Sequence, residues 1–142
     1  MPDDTAEDLE AGRTTLEASE FLRLLNCHFV EAGPTRVAGW IETGEQHHQP
    51  FGILHGGVLS SVVETFASVG AWLAVRRNGR SAVGVSNTTD FLRPTRSGRL
   101  DVDARAVHQG ASQQLWDVVI RRAADGKDVA RGHVRLQNLE PR

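Results

Sequence analysis

Cysteine is almost missing: Cys27 stands alone in 142 residues. No disulfide can form within the chain, and a reducing compartment is allowed. No uninterrupted apolar run approaches the roughly 20 residues that a membrane-spanning helix needs. The opening residues, Met-Pro-Asp-Asp-Thr-Ala-Glu-Asp, have neither a basic n-region nor an apolar h-region, which predicts no signal peptide and a cytoplasmic protein. Repeats and low-complexity segments are absent. Lysine is scarce, fifteen of the sixteen bases being arginine; the planar guanidinium suits phosphate, although a genome that favours arginine codons would give the same bias.

Charge of one sign is also limited. The net charge is -2, but residues 1–20 carry seven acids against Arg13 (-6), and the remainder carries eleven acids against fifteen bases (+4). A surplus of that size, behind an acidic segment, predicts no nucleic-acid partner. With 39% apolar and 24% charged residues, the chain fits one globular domain with a modest core. Residues 1–18 are polar, acidic and without apolar periodicity, and are expected to form a mobile tail; residues 19–142 form the domain.

Ser19 reads as the N-cap of a short helix. Cys27–Glu31 and Arg36–Glu42, separated by Ala-Gly-Pro-Thr, read as a hairpin. From Gly57 to Arg77 the pattern is helical, rich in Val, Leu and Ala, and closed by Arg76-Arg77-Asn78-Gly79. Four strands follow, at 81–94, 99–108, 112–123 and 127–139, with short glycine-containing joints that favour antiparallel hairpins. Two strands, one long buried helix and four strands predict an α+β fold: a long central helix wrapped by a curved antiparallel six-stranded sheet.

Glu64 is the misfit in this helix. An ionised carboxylate among apolar and small residues costs free energy unless something stabilises it. It lies on a strip with Gly57, Ser60, Ser61, Ala67 and Ser68, so it is either a general base or nucleophile facing a cleft, or an ion-paired residue in a tight packing seam. Ahead of the helix stands His55-Gly56-Gly57, where unsatisfied backbone N–H groups and the helix dipole favour developing negative charge. Gln49 could orient a water or a carbonyl. An oxyanion site and a carboxylate are the parts that acyl-transfer hydrolysis needs. Yet eight helical residues separate Gly56 from Glu64 by about 12 Å, so the site is shared between two chains or the reading fails. Several alternatives are weaker. His47, His48 and His55 match no metal-ligand spacing. Ser60 and Ser61 lack a nucleophile elbow. Cys27 sits in a strand pattern that points to burial and inertness, and Trp116 reads as core.

Gln-Pro-Phe-Gly-Ile-Leu-His-Gly-Gly at 49–57, followed by Glu64 and Ser68, resembles the hotdog-fold acyl-CoA thioesterases. The resemblance is nearest the branch containing Arthrobacter-type 4-hydroxybenzoyl-CoA and menaquinone-pathway 1,4-dihydroxy-2-naphthoyl-CoA thioesterases. Residues 82–94 and 108–116 carry it further. It implies sites formed between two subunits, a homodimeric unit assembled into a homotetramer, and no cofactor beyond the CoA of the substrate. Glu64 matches the catalytic carboxylate, Gly56 the N–H that polarises the carbonyl, Gln49 the amide beside the thioester, His55 a supporting histidine and Ser68 a nearby hydroxyl. Arg93 and the Gly110-Ala111-Ser112 turn match positions that contact the CoA nucleotide. Apart from the resemblance, Trp72 reads first as core, like Trp116, but two turns beyond Glu64 it could also border an acyl pocket. The Gln49/Glu64 pairing implies an aryl or fused-ring acyl group first, with a medium-chain acyl group second. Less well matched are a hotdog (de)hydratase acting on acyl thioesters and a non-catalytic acyl-CoA-binding protein.

Overall fold

The structure, a computed structural model, describes residues 4–142. In chain order it has helices α1 (Asp4–Glu17) and α2 (Glu20–Leu25), strands β1 (Cys27–Ala32) and β2 (Arg36–Thr43), helix α3 (Gly56–Val75), and strands β3 (Ser81–Phe91), β4 (Gly98–Gln109), β5 (Gln113–Arg122) and β6 (Asp128–Leu139). Single 3₁₀ turns at Glu45–His47 and Arg76–Asn78 flank α3. The strands form one antiparallel six-stranded sheet in the order β1-β2-β4-β5-β6-β3, with α3 packed across it. This is the expected α+β arrangement.

The segment expected as a tail, 1–18, is helical from Asp4 onward; residues 1–3 lie outside the described residues. Asp8, Gly12 and Leu16 are its buried positions. That spacing of four makes one helix face, but a carboxylate and a glycine occupy two of the three places, so no apolar period marks it. Gly12 lets α1 lie flat on the domain. A methyl group there would come within 3.3 Å of Ala32 and Phe29 and 3.4 Å of Val69.

A second difference concerns the joint between β3 and β4. Its length and glycine favour a hairpin, but β3 pairs with β6, and β4 lies between β2 and β5. Thr43 explains the delivery of β4: its hydroxyl accepts from the Gly98 N–H at 3.1 Å and donates to the Gly98 carbonyl at 2.9 Å. Gly98 itself has φ 138°, a backbone that side chains disfavour.

Length and apolarity alone would let Gly56–Asn78 cross a bilayer, but here most of it is buried inside the fold. Phe66 meets Phe29 edge to face, with centroids 4.9 Å apart, and Trp116 is fully buried against Gly70, where any side chain would strike its ring. Ser19 caps α2 by accepting from the Leu22 N–H at 3.0 Å, and Gly79 at φ 71° ends the turn after α3.

Candidate active site

Gln49, Pro50, Phe51 and Gly52 form a tight turn, the Gly52 N–H donating to the Gln49 carbonyl at 3.0 Å. Proline at the second position suits such a turn, and Gly52 has φ 78°. The Gln49 side-chain oxygen accepts from the Phe51 N–H. The following segment is pinned at Leu54, whose N–H donates to the Thr95 carbonyl at 2.8 Å, and at His55, whose N–H donates to the His47 carbonyl at 2.9 Å.

His55 is the N-cap of α3. Its Nδ1 accepts from the Gly57 N–H at 2.7 Å, which satisfies one of the orphan donors of the first turn. The Gly56 N–H has no hydrogen-bond partner among the described residues, and a methyl group at Gly56 would lie 2.7 Å from the Phe91 ring. Gln49, Gly56, Phe91 and Arg93 line one pocket of about 260 Å³. The expected oxyanion donor and the expected amide are therefore together. The three histidines at 47, 48 and 55 have different partners: His47 takes the Gly44 N–H at 3.1 Å and meets the Leu24 carbonyl at 2.6 Å, while His48 meets the Ser97 hydroxyl at 3.1 Å.

Glu64 and Ser68 lie in a second, larger cleft of about 910 Å³. Its alternative role as an arginine-paired seam residue is not what is found: Glu64 accepts instead from the Asn87 side-chain NH₂ at 3.2 Å. That NH₂ also donates to the Ser60 carbonyl at 3.0 Å, while the Thr89 hydroxyl donates to the Asn87 side-chain oxygen at 2.7 Å. The network fixes which way the amide faces. Gly84 completes the fit, because a methyl group there would stand 2.1 Å from a Glu64 oxygen. The register of β3 on β6 slips between Gly84 and Ser86, a bulge of the kind that re-aims side chains beside functional sites. Asn87, Thr89 and Gly84 were not singled out from the sequence; the contact depends on β3 crossing α3, and only the unbroken polar run 86–90 could have hinted at it.

Helix α3 is continuous from Gly56 to Val75, so the 12 Å separation of Gly56 from Glu64 stands. Phe91 borders both pockets. The nucleotide-contact candidates are further divided. Arg93 donates to the Asp128 carbonyl at 2.7 Å, at the start of β6. The Gly110 and Ala111 carbonyls accept from Asn138 at 3.2 and 3.3 Å, near its end, and the Asn138 N–H donates to the Ser112 carbonyl at 2.8 Å. Ten strand residues span roughly 34 Å, so within one chain these groups do not meet. Cys27 is set apart from this chemistry, since burial pushes its thiol up to about 12.

A family model described as the thioesterase superfamily matches residues 51–129. A Mycobacterium tuberculosis protein that bears an esterase name is 42% identical over 120 residues, 83% of this chain and 85% of its own length. Its solved structure superposes with a TM-score of 0.83, covering 87% of this chain and 99% of that one at 40% identity. The structure of AziG from S. sahachiroi gives 0.81 at 42% identity, covering 86% and 98%. A thioesterase of Haemophilus influenzae gives 0.84 at 26% identity, covering 93% and 90%. The matched span contains both Gly56 and Glu64, and the wrapped helix is the hotdog architecture these proteins share: the chain belongs to the thioesterase superfamily and is a thioester hydrolase.

Proposed function

We infer that the substrate is an acyl-CoA, hydrolysed to the free acid and the CoA thiol at sites completed by a second copy of the chain. The observation that carries this reading is the Glu64 carboxylate, tethered by Asn87 inside a large cleft while an unpaired helix-terminal N–H stands about 12 Å away. The Gly56 N–H of one subunit polarises the thioester carbonyl. Glu64 of the other attacks the carbonyl carbon, or takes a proton from the water that does. The carbon–sulfur bond breaks and the thiolate leaves to be protonated; where Glu64 itself attacks, water then hydrolyses the acyl–Glu64 anhydride, releasing the free acid and restoring the carboxylate. Gln49 orients the reacting groups, His55 holds the first turn of α3 in shape, and Ser68 offers a hydroxyl one turn beyond the carboxylate.

The Gln49/Glu64 pairing supports the 4-hydroxybenzoyl-CoA and 1,4-dihydroxy-2-naphthoyl-CoA branch, and therefore an aryl or fused-ring acyl group. Arg93 from one subunit and the Gly110-Ala111-Ser112 turn from another are the candidates for the CoA nucleotide. The assembly is a homodimer paired into a homotetramer, working in the cytoplasm without a cofactor. Thiol release from a panel of aryl and alkyl CoA esters tests the reading. Glu64→Ala should lower turnover by about 10²–10⁴-fold, the usual worth of a positioned acid–base group. Near-wild-type turnover in that variant would remove Glu64 from the mechanism, and substrate consumption without thiol release would point to a (de)hydratase.

A further inference from the structure

The cleft does not stop at Glu64. Along α3 it runs past Ser68 and Val69 to Trp72, and Thr15, Phe21 and Leu22 from the N-terminal helices line it as well. Trp72 lies eight residues beyond Glu64, about 12 Å further along the helix. That leaves space for two fused aromatic rings or an acyl chain of medium length.

The position of Trp72 is held from behind. The Arg76 guanidinium lies 5.6 Å from the centre of the Trp72 ring, within cation–π range. Arg76 in turn donates to Glu7 at 2.9 Å and to the buried Asp8 at 3.0 Å. Arg77 shares both acids, at 3.3 and 3.0 Å. Helix α1 can reach these arginines because Gly12 lets it lie against β1 and α3. An ion pair that served only to fasten α1 could have used any surface arginine. This cluster joins Arg77 to Arg76, and Arg76 lies over a residue that lines the cleft.

We propose that α1, through Glu7 and Asp8 acting on Arg76, fixes Trp72 as the end wall of the acyl cleft and so limits the length of the acyl group accepted. Trp72 meets the acyl group; Glu7, Asp8 and Arg76 are positioning residues. The proposal rests on the thioesterase reading above.

The test is kcat/KM across CoA esters from acetyl through benzoyl, octanoyl and naphthoyl to dodecanoyl, followed by thiol release. Trp72→Ala should raise the dodecanoyl-to-octanoyl ratio at least about tenfold, the scale on which a pocket discriminates a few methylenes, while Trp72→Phe should keep the wild-type ratio. The double variant Glu7→Gln/Asp8→Asn should shift the ratio the same way by a smaller factor, and Asp8→Glu, which keeps both carboxylates, should hold the wild-type ratio. A uniform loss over all esters in Trp72→Ala, or an unchanged ratio, overturns the proposal. A wild-type ratio in the double variant overturns the part given to α1. Should Trp72→Ala fail to fold by thermal melting, Trp72→Leu and the double variant decide the question by the same ratio. Wild-type protein that released thiol from none of the esters would instead sink the thioesterase reading.

Discussion

At the residue scale, Glu64 could be found from sequence because it is a chemical misfit in its helix, and His55-Gly56-Gly57 because a helix start with two glycines leaves donors open. Its neighbours could not. Asn87 and Gly84 reach Glu64 only because the β3 bulge sets them under α3, and nothing in a strand's own pattern tells which side chain of a distant helix it will meet. Their roles can be separated. Asn87→Ala removes the donor that holds one Glu64 oxygen, and kcat should fall about a hundredfold, the cost of a misplaced catalytic group, with little change in KM. Thr89→Ala, which removes only the bond that orients the amide, should give a milder loss in the same direction. Equal KM and kcat effects in both variants would show that Asn87 serves substrate binding instead of the carboxylate.

At the element scale, the long helix was legible from its apolar pattern and its C-terminal stop, and the six strands from the turn signals between them. Helix α1 was not, since its buried stripe is Asp8, Gly12 and Leu16. Nor was the place of β3, because a short glycine-containing joint looks the same whether the next strand pairs with the last one or crosses to the other side of the sheet. The attachment of α1 makes a prediction about pH. The Arg76 hydrogen bond, helped by the nearby Arg77 charge, holds the Glu7 carboxyl below its ordinary 4.5. A carboxylate lowered in the folded state stabilises the fold above its unfolded pKa, and the contribution is lost as pH falls through the folded value. Docking of α1 should therefore be intact at pH 7 and weaken below about 4.5, seen as a change in tryptophan fluorescence. Glu7→Gln should lack that part of the acid titration. Other acids titrate nearby and are the same in both proteins. Partial burial pushes the Asp103 carboxyl up, but Arg36 and Arg105 outweigh it and hold it low, while Arg122 and the Lys127 N–H hold Asp125 at about 2. The wild-type-minus-variant difference isolates Glu7, and identical titrations would mean that α1 is held without it.

At the scale of the whole molecule, one chain leaves two things unfinished. Strand β3 is an edge that exposes Val83, Val85 and Phe91, and an apolar edge left open invites pairing with another chain. The Gly56 N–H and the Glu64 carboxylate also sit too far apart on one helix to act on a single carbonyl. The two-fold dimer proposed above would resolve both, and it has a numerical consequence. Gly56 is the first residue of α3, where proline is tolerated, so Gly56→Pro removes the N–H and keeps the helix; the Phe91 ring, which a substituent at Gly56 would meet at 2.7 Å, must shift to admit it. Alone, Gly56→Pro and Glu64→Ala should each keep at most about a hundredth of wild-type turnover. Mixed in equal amounts after dissociation and reassociation, half the dimers are hybrid, and each hybrid has one site built from two intact halves and one from two defective halves. Activity should then return to about a quarter of wild type. Chains that each kept a complete site would return none, since every site in the mixture would still carry one of the two lesions.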